Sequence, residues 1–259
     1  MLEVSGVRKV FHANTANARI ALDGVDLELA EGDFAVIIGG NGAGKSTLLN
    51  AIAGEVRVDS GRIAIAGAAL TALPTHRRAA QVARVFQDPV VGTAGSMTIA
   101  ENLAVAALRG QRRNLRRGLR RAQREDFAAR LRPLGLGLET RLDTKVEMLS
   151  GGQRQALCLL MAVLRRPALV LLDEHTAALD PRTADIVMTA TLDAIASAGL
   201  TALMVTHNMR NAIDYGKRLL MMSHGRIVLD LTGAAKANLG VADLVERFKL
   251  AHDRLLLED

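Results

Sequence analysis

Residues 34–53 read FAVIIGGNGAGKSTLLNAIA, and this stretch decides the fold. It opens with five consecutive apolar residues, which is typical of a strand that is buried on both faces of a sheet. A glycine-rich loop follows and leads into the apolar spacing of a helix, which we expect over 46–53. A buried strand, a glycine loop and a helix in this order predict a nucleotide-phosphate site in an α/β protein.

The glycine-rich loop (39–46, hereafter the phosphate loop) fits the pattern G-x-x-x-x-G-K-S/T. Glycines allow successive backbone N–H groups to face an anion, and the helix that follows presents its positive end to that anion. We expect Lys45 to contact the outer phosphates and the Ser46 hydroxyl to bind Mg²⁺. The alternative is an ordinary glycine-rich turn, and kinases and GTPases share this loop. Its predicted nucleotide contacts are Gly39, Asn41, Gly42, Ala43, Gly44, Lys45, Ser46 and Thr47.

Two more apolar runs, over 168–172 and 201–205, indicate further buried strands. Helical patterns cover 153–165 and 181–198, and apolar strands that alternate with helices predict a parallel sheet. The first thirty residues alternate as an exposed sheet does, whereas 87–150 is a helical, Arg-rich insertion. Polar groups follow the carboxyl ends of all three apolar strands, where open α/β sheets bind ligands.

Two carboxylates follow the strand over 168–172. Asp173 is placed to reach Mg²⁺ through a water molecule, and Glu174 to hold the attacking water as a general base. Apolar strands that end in aspartate are common, so this pair is a weak signal by itself. Its value is that it supplies the second half of the nucleotide site that the phosphate loop predicts.

The segment 149–153 (hereafter the signature loop) reads LSGGQ and opens the helix before that strand. Ser150 and Gln153 fit a capping box, S-x-x-Q, which is a purely structural interpretation. A capped helix start with two glycines, Gly151 and Gly152, is also an anion site, because its first N–H groups and the helix dipole suit a γ-phosphate. Two phosphate-binding helix ends around one nucleotide suggest a site that is shared across a dimer.

With these motifs in this order, residues 1–235 resemble the ATP-binding subunits of ABC transporters. The resemblance implies a P-loop NTPase (RecA-like) α/β core with a parallel sheet, an N-terminal antiparallel β subdomain and an inserted helical subdomain. It also implies a head-to-tail homodimer, in which the signature loop completes the ATP site of the opposite subunit. Phe11 lies where an aromatic ring of the family stacks on adenine, although the insertion 14–19 leaves His12 as an alternative.

The resemblance gives roles to three further residues. Gln87 matches the glutamine that binds Mg²⁺ and senses the permease, and Asp180 lies in the loop that crosses the dimer interface. His207 matches the histidine that contacts the γ-phosphate and Glu174. In each case the alternative is a residue with a structural role only.

The sequence departs from the family pattern at two positions next to these residues. His175 stands where proline usually follows the catalytic glutamate, and Ala177 stands in place of a serine. Glu174 itself is present, so we expect hydrolysis of ATP. His175 either tunes the loop or merely replaces proline, and the second interpretation is the simpler one.

Composition and charge exclude several classes of protein. Hydrophobic residues make up 49% and aromatic residues 2%, which excludes a disordered chain and a base-stacking platform for single-stranded nucleic acid. The net charge is +6, but the segment 109–125 alone holds eight Arg and one Glu. Without a broad basic face, we expect no nucleic-acid partner. No apolar run approaches the length of about 20 residues that a membrane span requires, and Cys158 is expected to be buried.

The arginines of that segment advance by three and one residue in turn, which predicts one face of a helix. The functional hypothesis is contact with anionic lipid headgroups or an acidic permease surface, and the alternative is a solvated charged face. These arginines are Arg109, Arg112, Arg113, Arg116, Arg117, Arg120, Arg121 and Arg124.

The predicted function is that of an ATPase subunit, with ATP and Mg²⁺ bound, that energises an ABC transporter. We expect a bacterial importer of a small solute such as an amino acid, which resembles the tryptophan/tyrosine importer group. The alternatives are an exporter subunit, a regulatory subunit without hydrolysis, or an ABC ATPase of DNA repair or ribosomes. The expected domains are an ATPase domain over 1–235, with a core of 1–88 and 155–235 and a helical subdomain of 89–154, and a helical tail over 236–259.

The expected partners are a second copy of this chain and integral membrane permease subunits, with an extracytoplasmic substrate-binding protein engaged indirectly. The resemblance therefore implies a peripheral protein at the cytoplasmic face of the cell (inner) membrane. Cargo and direction of transport stay open, because the cargo of such a transporter does not touch its ATPase subunits.

Overall fold

The computed structural model of the chain describes residues 1–111 and 119–247. The chain divides into two compact units. The first unit contains residues 1–78 together with the chain from 201 onward, and the second unit contains residues 79–200. Both units contain strands and helices.

The first unit carries an antiparallel sheet with the strand order β2-β1-β4-β5. Apolar residues alternate along its long strands, so one face of β1 and β2 is buried and the other faces solvent. The register places Val4 opposite both Leu27 and Ile63, and it places Phe11 opposite Arg19. The strands are β1 (Leu2–Phe11), β2 (Arg19–Leu29), β4 (Ser60–Ile65) and β5 (Ala68–Ala69).

The same unit carries strands that pair around β3 (Phe34–Gly39), which lies between β8 (Thr201–Val205) and β9 (Arg218–Ser223) and is parallel to both. Residues 34–38 are buried throughout, as the continuous apolar run predicts. The strand β10 (Arg226–Thr232) pairs with β9 as a hairpin. The helices of this unit include α1 (Lys45–Ala53), α2 (Thr75–Arg78), α7 (Met209–Asp214) and α8 (Gly233–Ala237), and the chain is helical again over 241–247.

The second unit contains one parallel pair of strands, β6 (Val82–Val85) and β7 (Leu169–Asp173). Its helices are α3 (Ile99–Ala107), α4 (Arg121–Leu131), α5 (Gly151–Val163) and α6 (Pro181–Ala198). Short 3₁₀ turns occupy Arg132–Leu134, Leu138–Thr140 and Val146–Met148. An apolar core joins α3, α4, α5 and these turns, and it includes Leu103, Phe127, Leu138, Val146 and Leu157.

The predicted fold class is confirmed by these elements. The helix predicted over 181–198 has the predicted bounds, and α1 begins one residue before the predicted start. Cys158 is buried as expected, and burial raises the pKa of its thiol to about 12. Among the residues that the structure describes, no helix is long and apolar enough to cross a membrane. The subdomain boundaries remain a prediction.

The prediction of a single arginine-bearing helix over 109–124 is wrong, because among the described arginines of this segment only Arg121 and Arg124 lie in a helix. Arg109 follows the end of α3 and turns back to donate to the carbonyls of Met161 and Ala162. Arg120 is extended backbone at the N-cap of α4, so it is not part of a helix that continues from Arg109. The periodicity of the arginines led to a wrong prediction, because a partly buried arginine that caps a helix can have the same spacing in the sequence as an arginine on a helix surface. Arg112, Arg113, Arg116 and Arg117 lie outside the described residues.

The arginines of α4 also have specific partners. Arg124 forms an ion pair of 2.6 Å with Asp143, and Arg121 pairs with Glu125 at 3.1 Å one helical turn away. The Asp143 carboxylate raises the pKa of Arg124, and the pKa of Asp143 is lowered by the same hydrogen bond. The described part of the segment is therefore a set of local pairs and a helix cap, and not one uniform basic face.

Candidate functional site

The phosphate loop connects the end of β3 to the start of α1, as the sequence predicts. Gly44 is the N-cap of α1 with φ 101°, and a Cβ at this position would overlap the carbonyl oxygen of Ala21. Glycine is therefore required both by the backbone conformation and by the close approach of β2. The N-terminus of a helix suits an anion, because its first N–H groups make no intrahelical hydrogen bonds, and α1 begins directly after this loop.

Lys45 is the first residue of α1 and is 8% exposed. Its Nζ donates to the carbonyl oxygens of Gly39 and Gly40 at 2.7 and 2.9 Å. The ammonium is thus held over the phosphate loop itself, and its charge lies next to the helix end that attracts phosphate. This placement agrees with the predicted role of Lys45 as the cation for the outer phosphates.

Phe11 is the last residue of β1, and its cross-strand neighbour contacts the phosphate loop. Residues directly opposite in an antiparallel pair point to the same face, and Arg19 is opposite Phe11. The Arg19 guanidinium donates to the carbonyl oxygen of Gly42 at 3.2 Å. The Phe11 ring therefore lies on the same face of the sheet as the Arg19 side chain, which contacts the phosphate loop.

His207 lies at the same sheet edge as the phosphate loop. Val205 is opposite Ile37 in the parallel pair of β8 and β3, and each of these strands ends within two residues. His207 is exposed and follows Thr206, whose N–H donates to the carbonyl of Ile37. The first unit thus brings the phosphate loop and His207 to the same edge of the sheet that contains β3 and β8.

The second unit places Gln87, Asp173 and Glu174 at the carboxyl edge of its strand pair. Val85 is opposite Leu172, and Gln87 and Glu174 each lie two residues beyond this pair. The N–H groups of the Gln155 side chain donate to the Phe86 carbonyl at 3.0 Å, which ties the segment before Gln87 to α5. The three predicted residues therefore follow paired positions of β6 and β7 at the same edge of the sheet.

Asp173 has a cationic partner that the sequence analysis missed. Arg84 Nη2 donates to Asp173 Oδ2 at 2.6 Å, and the two side chains are 10% and 14% exposed. The guanidinium also lies 4.7 Å from the centroid of the Phe86 ring, within the range of a cation–π contact. A charged residue inside the apolar strand β6 is the signal that would have indicated this pair, because a buried charge requires a partner.

Glu174 adopts a left-handed backbone conformation, with φ 45°. This region is uncommon for a residue with a side chain, and such strain persists only where neighbouring contacts enforce it. The residue that follows, His175, is 2% exposed and is within 3.1 Å of the Thr191 hydroxyl on α6. The turn that carries Glu174 is therefore anchored by a buried polar contact.

The signature loop forms the capping box that its sequence predicts. Ser150 Oγ accepts from the N–H of Gln153 at 3.3 Å, and Gln153 Oε1 accepts from the N–H of Ser150 at 3.2 Å. Gln153 Nε2 also donates to the carbonyl of Leu136. The structural interpretation is thus correct, and it is compatible with an anion site, because the first N–H groups of a helix make no intrahelical hydrogen bond.

The signature loop packs against the start of α6, where Asp180 is located. The Asp180 carboxylate is the N-cap of α6 and accepts from Thr183 N–H at 3.1 Å, and hydrogen bonds from Thr183 lower its pKa. A Cβ on Gly151 would lie 3.8 Å from Leu179, whereas a Cβ on Gly152 would overlap Thr183. The two segments that the sequence assigns to a dimer interface therefore lie side by side.

The chain matches one protein family and many individual proteins. Residues 22–177 match the ABC transporter family. The tyrosine transport ATP-binding protein of Clostridioides difficile is 41% identical over 251 residues, which are 97% of this chain and 100% of that protein. The methionine import ATP-binding protein MetN of Geobacillus kaustophilus is 34% identical, over 88% of this chain and 64% of that protein. This chain therefore spans about two thirds of that second relative.

Two solved structures are similar to this one. The first is the dimeric structure of a post-hydrolysis state of the ATP-binding cassette MJ0796 bound to ADP and Pi, with a TM-score of 0.77 and 27% identity over 90% of this chain and 98% of that one. The second is the ADP conformation of the cassette MJ1267, with a TM-score of 0.78 and 27% identity over 96% of this chain and 98% of that one.

Proposed function

This chain belongs to the ABC transporter family as an ATPase subunit of a transporter, and from that premise we propose that it drives import of a small solute such as an amino acid. The observation in favour of import is the name of one relative, a methionine import ATP-binding protein, and the other relative is a tyrosine transport ATP-binding protein. The near-complete match to the first of these favours an amino acid as cargo.

The observation that carries the proposal is the presence of two helix N-termini suited to phosphate in one chain. One is the phosphate loop before α1, and the other is the signature loop before α5. A second copy in head-to-tail orientation would place one chain's signature loop over the other chain's phosphate loop. The contact of Gly152 with Thr183 puts the Asp180 turn beside the signature loop, where both would meet the partner. The working form is therefore a homodimer with two ATP molecules between the subunits.

Hydrolysis uses Glu174 as the general base. Glu174 accepts a proton from the attacking water, whose oxygen bonds to the γ-phosphorus as the bond from that phosphorus to the β–γ bridging oxygen breaks. The products are ADP and inorganic phosphate. Lys45 stabilises the charge on the outer phosphates, and His207 contacts the γ-phosphate at the edge of β8. ATP closes the dimer because it binds both halves, and its loss opens it.

The residues assigned to Mg²⁺ fit that ion by their donor chemistry. Ser46 offers a hydroxyl, Gln87 an amide oxygen and Asp173 a carboxylate, and Mg²⁺ prefers oxygen ligands with several waters retained. The Asp173 carboxylate would accept a hydrogen bond from a water of the ion, in addition to the one that it accepts from Arg84. When bound, Mg²⁺ would neutralise charge on the β- and γ-phosphates.

The partners in the membrane are permease subunits, and the chain acts as a peripheral protein on their cytoplasmic side. Exposed apolar side chains follow Gln87, since Val90 and Val91 are 56% and 65% exposed. Val105 and Leu108, at the end of α3, are exposed as well. Apolar residues that follow Gln87 in the chain are suited to transmit a movement of Gln87 to a permease. We retain 1–235 as the ATPase domain and 89–154 as its helical subdomain.

The test is affinity purification of a Glu174→Gln variant from detergent-solubilised membranes with ATP present. This substitution should trap the closed dimer on its partners, because it keeps the site but removes the base. Recovery of a polytopic permease with a substrate-binding protein supports an importer, and recovery of a permease without one in repeated preparations favours an exporter. Recovery of ribosomal or DNA-bound proteins alone would contradict transport. A Lys45→Met variant, which should bind no ATP, is the control for nonspecific capture.

A further inference from the structure

The side chain of His175 is enclosed in the second unit, directly after the residue proposed as the general base. It is 2% exposed, and Thr191, its partner on α6, is fully buried. The distance from His175 Nε2 to Thr191 Oγ1 is 3.1 Å. A buried polar pair of this kind is costly unless its hydrogen bond is made, so the contact constrains the geometry of both segments.

The direction of this hydrogen bond follows from the other bond of Thr191. The Thr191 hydroxyl donates to the carbonyl oxygen of Val187 at 2.7 Å, so its oxygen is left as an acceptor. His175 must therefore donate from Nε2, which places a ring proton on that nitrogen. Burial lowers the pKa of His175 to about 4, so the neutral form is the one present at physiological pH.

The contact spans the loop that carries the proposed chemistry. His175 follows Glu174, whose φ of 45° lies in the left-handed region. Thr191 lies on α6, which begins at the Asp180 cap. The hydrogen bond therefore ties the strained turn at the start of this loop to the body of α6, the helix that follows the loop. A main-chain conformation of this kind needs such an anchor, because an unconstrained chain would relax out of it.

We propose that His175 is a positioning residue, which holds the Glu174 carboxylate in line for the attacking water through its buried hydrogen bond to Thr191. The inference rests on the proposed ATPase function and deepens it. Rotation of the Glu174 backbone toward an ordinary conformation would move the carboxylate, and displacements of about 1 Å are enough to slow catalysis by up to about a hundredfold. Binding of ATP at the phosphate loop would be unaffected by that rotation.

The test uses the full chain with MgATP and three single variants of α6. Thr191→Val keeps the shape of the side chain and removes the acceptor, whereas Thr191→Ser keeps the hydroxyl. Thr189→Val is the matched control, because Thr189 is an exposed threonine on the same helix. For each protein we would measure kcat, the KM for ATP and the urea concentration at the midpoint of unfolding.

We expect Thr191→Val to lower kcat by about tenfold while the KM for ATP stays within about twofold. Thr191→Ser and Thr189→Val should stay within about twofold in both constants. A double variant, His175→Leu with Thr191→Val, removes both polar partners and should recover the unfolding midpoint without recovering kcat. This double variant also decides the matter if Thr191→Val alone fails to fold.

Two results would overturn the inference and leave the ATPase proposal intact. One is a folded Thr191→Val protein with the kcat of the unaltered chain. The other is a double variant in which kcat returns together with stability, because the pair would then act only on folding. An unaltered chain without ATPase activity would overturn the proposed function and this inference with it.

Discussion

We expect alanine to have different effects on stability at the two glycines of the signature loop, Gly151 and Gly152. Gly152 lies against α6, where an added Cβ would overlap Thr183 Cγ2 and lie 3.3 Å from Thr183 Cβ. Gly151 is exposed, and its added Cβ would meet only Leu179, at 3.8 Å. An alanine at 152 must therefore push α5 away from α6, whereas an alanine at 151 requires no movement.

The size of the difference follows from packing. Insertion of one methyl group into a packed contact costs about 1–3 kcal/mol. Alanine in place of glycine within a helix recovers up to about 1 kcal/mol. Because the added Cβ at 152 would overlap Thr183, the upper part of that cost, about 2–3 kcal/mol, applies there. We therefore expect Gly152→Ala to lower the free energy of unfolding by about 1–2 kcal/mol, and Gly151→Ala to leave it unchanged or raise it slightly. Because Gly151 is proposed to lie against the phosphate, the added Cβ would hinder the approach of the nucleotide, so Gly151→Ala should lower ATPase activity without a loss of stability.

Urea unfolding followed by circular dichroism measures both effects, and a second substitution tests their cause. Thr183→Ser removes the methyl group that a Cβ at 152 would meet, and it keeps the hydroxyl and the backbone N–H that caps α6. The double variant Gly152→Ala/Thr183→Ser should recover most of the lost stability. Equal stability of Gly152→Ala and the unaltered chain, or no rescue by Thr183→Ser, would refute the packing argument.

Three further outcomes are expected from single sites. Arg78 is 3% exposed and donates four hydrogen bonds, two of them to the end of α1. Arg78→Met should therefore lower the free energy of unfolding by about 3 kcal/mol in a urea titration, and an unchanged midpoint of unfolding would contradict this expectation. Cys158 has a folded pKa near 12 against about 9 when unfolded, so its stabilising contribution is complete below pH 9 and is lost as pH rises toward 12. The loss should reach about 2 kcal/mol at pH 10.5 and be absent from Cys158→Ala. Arg19→Ala should weaken ATP binding about tenfold by calorimetry, whereas Arg62→Ala on the exposed part of the same sheet should not.

The strands and helices that carry the site follow from local patterns in the sequence. Residues 34–38 are apolar without interruption, so a buried central strand is the simplest arrangement for them. The capping box of Ser150 and Gln153 is likewise a local motif of four residues, and it forms as predicted. Such features depend on neighbours within one or two turns of chain, which is why the sequence alone predicts them.

Contacts between distant segments are the features that the sequence does not predict. The ion pair of Arg84 and Asp173 joins residues 89 positions apart, and it exists only because β6 and β7 pair in one register. Arg109 caps α5 from a position 53 residues before Ala162, where helical periodicity alone predicts a surface residue. Partners of this kind depend on how elements pack, and the chemistry of a single residue does not specify them.

The dimer with shared ATP is the central claim, and light scattering during size-exclusion chromatography tests it most directly. A Glu174→Gln protein with MgATP should elute with twice the mass of one chain, and the same protein with ADP should elute as a single chain. Gly151→Asp, which places a negative charge at the signature loop, should keep the ATP-bound protein at the mass of one chain. A Glu174→Gln protein that binds ATP and still has the mass of one chain would contradict the account.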